Sequence, residues 1–130
     1  MNILYLKTDG PTTYLGLALA GKLVQEVNWE SGKDLARDLL SKIASIFEAS
    51  ETKLENIDGI VIYKGPGSFT SLRIGCTVAN TLSYSRGVPI VGTSDLHWMS
   101  DGMERLKAGE NDKIVIPEYG AEPNITPQKK

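Results

Sequence analysis

The sequence predicts an α/β fold: a mixed sheet that starts as an antiparallel meander, continues in parallel strands and is flanked by helices. Three observations predict it. Residues 3–6, 14–20 and 23–29 are apolar or alternating runs separated by short turn-forming stretches. From Leu35 onward the apolar period changes from that of a strand to that of a helix. Short β-branched runs then alternate with longer helical stretches, as in parallel crossover units.

Each element has a local reason. The first run is ended by Lys7-Thr8-Asp9-Gly10-Pro11. The second places Leu15, Leu17 and Leu19 on one side, and Ala20-Gly21-Lys22 turns the chain. The third alternates, with Leu23, Gln25, Val27 and Trp29 on one face. Ser31-Gly32-Lys33-Asp34 resembles a capping box with Ser31 as N-cap. Leu35, Leu39, Ile43, Ile46 and Phe47 follow at helical spacing to about Ala49, and Ala36 and Leu40 widen the stripe. Residues 53–57 connect to a buried strand at 59–63. A second helix is expected from about Thr70 to Arg86, with Gly87 as its C-cap residue. A strand at 89–91 and a third helix from Ser94 or Asp95 through Leu106 follow. Residues 113–116 could form a last strand. The expected division is a domain over 1–116 and an extended C-terminal tail over 117–130, mobile in isolation.

Composition narrows the function classes. The chain has 130 residues, 14 basic and 16 acidic side chains and a net charge of −2. That balance disfavours strong independent nucleic-acid binding, which needs several phosphates neutralised by Lys and Arg. Cys76 is the only cysteine, so an internal disulfide and a cysteine-based zinc site are excluded. No apolar run is long enough to cross a bilayer. The opening residues carry no basic and apolar leader, and the expected location is cytoplasmic.

The strongest local signal is Gly65-Pro66-Gly67-Ser68-Phe69-Thr70-Ser71-Leu72-Arg73-Ile74-Gly75, between a buried strand and a helix. The glycines permit backbone angles that side chains forbid, the proline stiffens the turn, and Ser68 or Thr70 caps the helix. It is not a Walker loop, because no Gly-Lys-Ser/Thr follows at the required spacing. On residue chemistry alone it is a tight strand-to-helix turn with Arg73 at the surface.

The whole string resembles the Gly-Pro-Gly-Ser-Phe-Thr-Gly-Leu-Arg-Ile-Gly signature of the TsaB family, also called YeaZ, with Ser71 in place of the usual glycine. Ile57-Asp58-Gly59-Ile60-Val61, Gly87-Val88-Pro89-Ile90-Val91-Gly92-Thr93-Ser94 and Ile3-Leu4-Tyr5-Leu6-Lys7-Thr8 extend the resemblance over about the first hundred residues. It implies one half of the actin-like ATPase fold, which is ribonuclease-H-like. It also implies a non-catalytic relative of TsaD that pairs with TsaD through helices including the one after the signature. With an ATPase subunit, that complex adds a threonylcarbamoyl group to the adenosine beside the anticodon of certain tRNAs. Contact with tRNA would be indirect, and no cofactor, catalytic residue or metal ligand is expected in this chain.

Three departures from the family pattern bear on that implication. Lys7 stands where active actin-like ATPases place an aspartate at the end of the first strand, and an ammonium cannot ligate a cation. His97 is the only histidine, so the histidine pair that holds metal in TsaD-type enzymes cannot be reproduced. Only about 35 residues follow Thr93, and Pro117-Glu118-Tyr119-Gly120-Ala121-Glu122-Pro123 resembles the family's C-terminal end. Most of a second lobe is therefore expected to be missing from within.

The expected docking helix has two stripes. Leu72, Cys76, Ala79 and Leu82 form one; Ser71, Gly75, Val78 and Ser85 form a second of mainly small residues. The partner interface is accordingly expected at Ser71, Leu72, Arg73, Gly75, Val78, Ala79 and Leu82. The alternative is that the small residues pack only against their own sheet. Cys76 is expected to be buried, Trp29 and Trp98 to be core or interface aromatics, and Arg73 to pair with a partner's acid or cap a local carbonyl. Two other functions remain: a self-associating module, such as a homodimer through the same helix, and a residual nucleotide hydrolase or peptidase. The latter would need a nucleophile with its base, and Ser68 has no evident histidine partner.

Overall fold

A computed structural model describes residues 1–119. Strands β1 (Ile3–Lys7), β2 (Thr12–Leu19) and β3 (Lys22–Glu30) form the meander. Helix α1 (Leu35–Ala49), strand β4 (Gly59–Tyr63), helix α2 (Phe69–Arg86), strand β5 (Ile90–Thr93) and helix α3 (Trp98–Lys107) follow. The sheet order is β3-β2-β1-β4-β5. β1 pairs antiparallel with β2 and parallel with β4, so the meander and the crossover units share one strand. Ala20 and Gly21, both with positive φ, make the tight β2–β3 turn.

Both faces of β1, β4 and β5 are covered, which is why residues 3–6, 59–63 and 90–91 are apolar runs rather than alternating. Leu4, Leu6, Ile60, Ile62 and Ile90 face the layer under α1 and α2. Ile3, Tyr5, Val61, Tyr63 and Val91 face α3. α1 is fixed by the burial of Leu35, Leu39, Ile43, Ile46 and Phe47, each contributing about 1.5–3 kcal/mol. Gly87 ends α2 in the left-handed conformation. Among the described residues no helix is long and apolar enough to cross a membrane.

Four sequence expectations are corrected. The capping box does not form: the Ser31 hydroxyl is engaged with the Thr13 hydroxyl at 2.7 Å and the Pro11 carbonyl, and a short 3-10 turn precedes α1. Ala36 and Leu40 do not widen the core stripe, because both are exposed. α3 starts at Trp98, since Asp95 has φ +65° and its carboxylate accepts the His97 N–H. Residues 113–116 are not a strand. Their place along β5 is taken by side chains: Asn111 Oδ1 accepts from Ile90 N–H and Asp112 Oδ2 from Gly92 N–H, which closes that sheet edge. Beyond 116, the Glu118 N–H donates to the Lys64 carbonyl at 2.7 Å and Tyr119 lies on Phe69. The rest of the expected tail, 120–130, lies outside the described residues.

Candidate protein-docking site

The signature segment is held between two distant parts of the chain. Gly65 has φ +133°, and a Cβ there would overlap the Glu118 carbonyl oxygen. A Cβ on Gly67 would lie 2.6 Å from both Cβ and the carbonyl oxygen of Asp9. The Ser68 N–H donates to that same Asp9 carbonyl at 2.8 Å, and the Tyr63 hydroxyl donates to the Pro66 carbonyl at 3.1 Å. Bare backbone is thus required by contact on both sides. Of the two candidate caps, Ser68 is the N-cap; its hydroxyl accepts from Ser71 N–H over a long 3.5 Å, while Thr70 stands exposed.

α2 divides into an inner and an outer face. Leu72, Gly75, Cys76, Ala79 and Ser83 are buried. Gly75 lies against Thr8, with a Cβ position 2.8 Å from the Thr8 Cβ. Three residues expected at the partner interface, Leu72, Gly75 and Ala79, are therefore buried in this domain; of the expected small-residue stripe only Gly75 is buried, and Ser85 is exposed. Ser71, Val78 and Leu82 are half-buried, and Arg73 is exposed. Burial in the Cys76 pocket pushes its thiol up to about 11, keeping it uncharged near neutrality.

An apolar groove opens where α1 and α2 lie side by side. Ala36 of α1 faces Thr70, Ile74, Thr77 and Val78 across an open cleft of about 390 Å³, with Arg73 at its rim. Further along, Leu40, Ala44, Leu54 and Leu82 line a second opening of about 510 Å³. Leu40 is 57% exposed. The sequence did carry a signal for this surface: α1 has more apolar residues than its one buried stripe needs. Arg73 lies 5.1 Å over the Phe69 ring and makes no ion pair among the described residues.

At the C-terminal end of β1, the Lys7 ammonium is 2.8 Å from an Asp9 carboxylate oxygen and 4.5 Å over the Tyr63 ring. It borders an open cleft of about 460 Å³ with Tyr14, Glu26, Asn28 and Trp98. Burial, then the hydrogen bond to Glu26, raises the Tyr14 hydroxyl above its usual range. Trp98 is the hub of this face, with Tyr5, Tyr14 and Tyr63 each edge-on at 6.0 Å. Trp29 packs against the α1 core, so both tryptophans are packing residues of this domain. His97 is exposed as the N-cap of α3. Among the described residues, no group of three or more His, Cys, Asp or Glu side chains gathers where a metal could bind.

Residues 29–113 match the family model described as TsaD: tRNA N6-adenosine threonylcarbamoyltransferase. The chain is 29% identical over 100 residues to the Bacillus subtilis tRNA threonylcarbamoyladenosine biosynthesis protein TsaB, covering 77% of this chain and 44% of that protein. It is 26% identical over 116 residues to the Haemophilus influenzae protein of the same name, covering 89% of this chain and 49% of that one. The chain thus spans about half the length of the curated relatives it matches. Among solved structures, YeaZ from Pseudomonas aeruginosa superposes with a TM-score of 0.70 at 23% identity, over 83% of this chain and 50% of that one. The shared architecture is the mixed five-stranded sheet, ordered β3-β2-β1-β4-β5, with helices on both faces. Because the family match runs through the signature segment itself, and proteins named TsaB share most of this chain's length with it, the chain belongs to the TsaB/YeaZ family.

Proposed function

We propose that the chain acts in tRNA threonylcarbamoyladenosine biosynthesis as a non-catalytic subunit, and that it docks onto a TsaD-type catalytic protein through the α1/α2 groove. The observation that carries this reading is the groove itself. Ala36, Ile74 and Val78 line one solvent-open apolar cleft, and Leu40, Ala44 and Leu82 line a second one further along the same two helices. Exposed apolar surface of this kind marks interaction sites. A partner helix laid along both clefts would bury Val78 and Leu82 further and meet Ser71 and Arg73 at one end. Arg73 gives the contact polarity, calling for a carboxylate on the partner.

The reading needs no catalytic group here. Lys7 is neutralised by Asp9, Ser68 caps a helix, and His97 starts another. Metal, nucleotide and tRNA chemistry would then belong to the catalytic and ATPase subunits, consistent with a net charge of −2.

Co-expression with the TsaD-type protein of the same organism tests the proposal. The unmodified chain should copurify. Ala36→Arg, which places a charge in the groove without touching the core, should weaken the complex about 100-fold, whereas Leu96→Ser on the far side should not. Copurification unchanged by Ala36→Arg would sink the interface. A concentration-dependent dimer of the chain alone, lost in the same variant, would assign the groove to self-association.

A further inference from the structure

Residues 110–119 form a strap that crosses the β5 edge and the flank of α2, and its contacts have the character of peptide recognition. Asn80 on α2 makes a reciprocal pair with one strap residue: its Nδ2 donates to the Val115 carbonyl at 3.0 Å, and its Oδ1 accepts the Val115 N–H at 2.8 Å. A side-chain amide here does what a neighbouring strand would do. The Val115 side chain, 4% exposed, fills the space left by Gly92. Three residues on, the Glu118 N–H donates to the Lys64 carbonyl, and its carboxylate lies 3.2 Å from the Lys64 ammonium. Tyr119 lies on Phe69 with ring centroids 4.4 Å apart. On either side of Val115, Ile114 and Ile116 are 68% and 72% exposed. The side chains of Val115, Glu118 and Tyr119 are read, and the main chain is bonded at Val115 and Glu118.

The five-stranded body does not depend on the strap for its ladder. All strand pairings are made among β1 to β5. Just before Val115, Lys113 adopts a positive φ of 69°, a turn where the strap leaves the β5 edge.

We infer that the trough between Asn80, Gly92 and Lys64 is a binding site for an extended peptide, occupied here in cis by residues 114–119. The strap leaves and re-enters it without unfolding the body. The code it reads is an aliphatic residue opposite Asn80 and Gly92, an acidic residue opposite Lys64, and an aromatic residue opposite Phe69. A segment with that spacing, including the strap of a second copy, competes for the same place. This site is separate from the α1/α2 groove, although Arg73 and Thr77 border both.

Cys76 reports occupancy. It lines a small space of about 160 Å³ under Val115, Pro117 and Tyr119, is 2% exposed, and is the chain's single thiol. In the full chain, Val115→Asp should dislodge the strap. Alkylation of Cys76 by iodoacetamide should then rise at least tenfold, with an unchanged far-UV spectrum. A synthetic peptide of residues 110–119 should bind this variant at least tenfold more tightly than the unmodified chain and restore protection of Cys76. The same peptide carrying Val115→Asp should do neither, and Asn80→Ala in the chain should weaken binding. In the unmodified chain, the Val115 amide should exchange hydrogen at least tenfold faster than those of Ile60 and Ile62. A Val115→Asp chain that loses its fold, keeps Cys76 protected, or ignores the peptide overturns the proposal. So does a Val115 amide that exchanges only with global unfolding.

Discussion

Gly75, in the second turn of α2, lies directly on Thr8 at the exit of β1, so that a methyl group at 75 would fall on the Thr8 hydroxyl. Thr8 is fully buried, so it has no solvent to retreat into, and its hydroxyl has no hydrogen-bond partner among the described residues. Gly75→Ala should therefore destabilise the fold by roughly 1–3 kcal/mol despite the better helix propensity of alanine. Thr8→Ala alone should change stability by less than about 1.5 kcal/mol, because it removes an unsatisfied group along with some packing. The two together should cost less than the sum, which a double-mutant cycle by denaturant unfolding will measure. Additive losses would mean that the two residues do not meet.

The same pair explains what the sequence could and could not convey. The α1 stripe from Leu35 to Phe47 and the order of strands were legible because one periodicity has one cause, burial of a single face. The small residues of α2 have two possible causes. Gly75 and Ala79 could admit a partner helix or their own sheet, and only the register of β1 beneath them decides it. The groove proposed for docking was legible only as the excess apolar residues Ala36 and Leu40, which a helical wheel assigns to a wider core. Residues 113–116 alternate like a strand, but their partner is the Asn80 side chain, a pairing separated by 35 positions and invisible to pattern.

The hairpin-to-loop contact makes a second prediction. Gly67→Ala sets a Cβ 2.6 Å from backbone and side-chain atoms of Asp9, which also accepts the Ser68 N–H. The loop or the hairpin must shift, and the first turn of α2 shifts with it. The expected loss is about 1–3 kcal/mol, read as a lower Tm. Thr70→Ala, at an exposed position of the same segment, should be milder. Equal effects would show that the Asp9 contact is not the constraint.

Lys7 supplies a third. Its ammonium joins Asp9 and lies over Tyr63, with both ionic partners about one-third exposed. Lys7→Met keeps the stem and removes the charge. Stability should fall by about 0.5–1 kcal/mol at low salt, and the difference should narrow in 1 M salt as the pair is screened. A loss independent of salt would assign the role of Lys7 to packing of its stem.

Asp112 links pH to the closed sheet edge. Burial opposes its charge, but the hydrogen bonds from Arg105 and from Gly92 N–H outweigh that and hold its carboxyl below the usual range. Arg105 also donates to the Gly92 carbonyl at 3.0 Å, so the three groups close one stretch of β5. A depressed carboxylate stabilises the fold above the unfolded-state value, about 3.9, and loses that contribution as pH falls through the lower folded-state value. Asp112→Asn should therefore lower stability by about 1–2 kcal/mol at pH 7. The gap between variant and unmodified chain should stay constant down to about pH 5 and shrink below about pH 4. Chemical unfolding across that range measures it. A gap that persists undiminished at pH 3 would show that the loss comes from the altered geometry of the amide and not from the charge on Asp112.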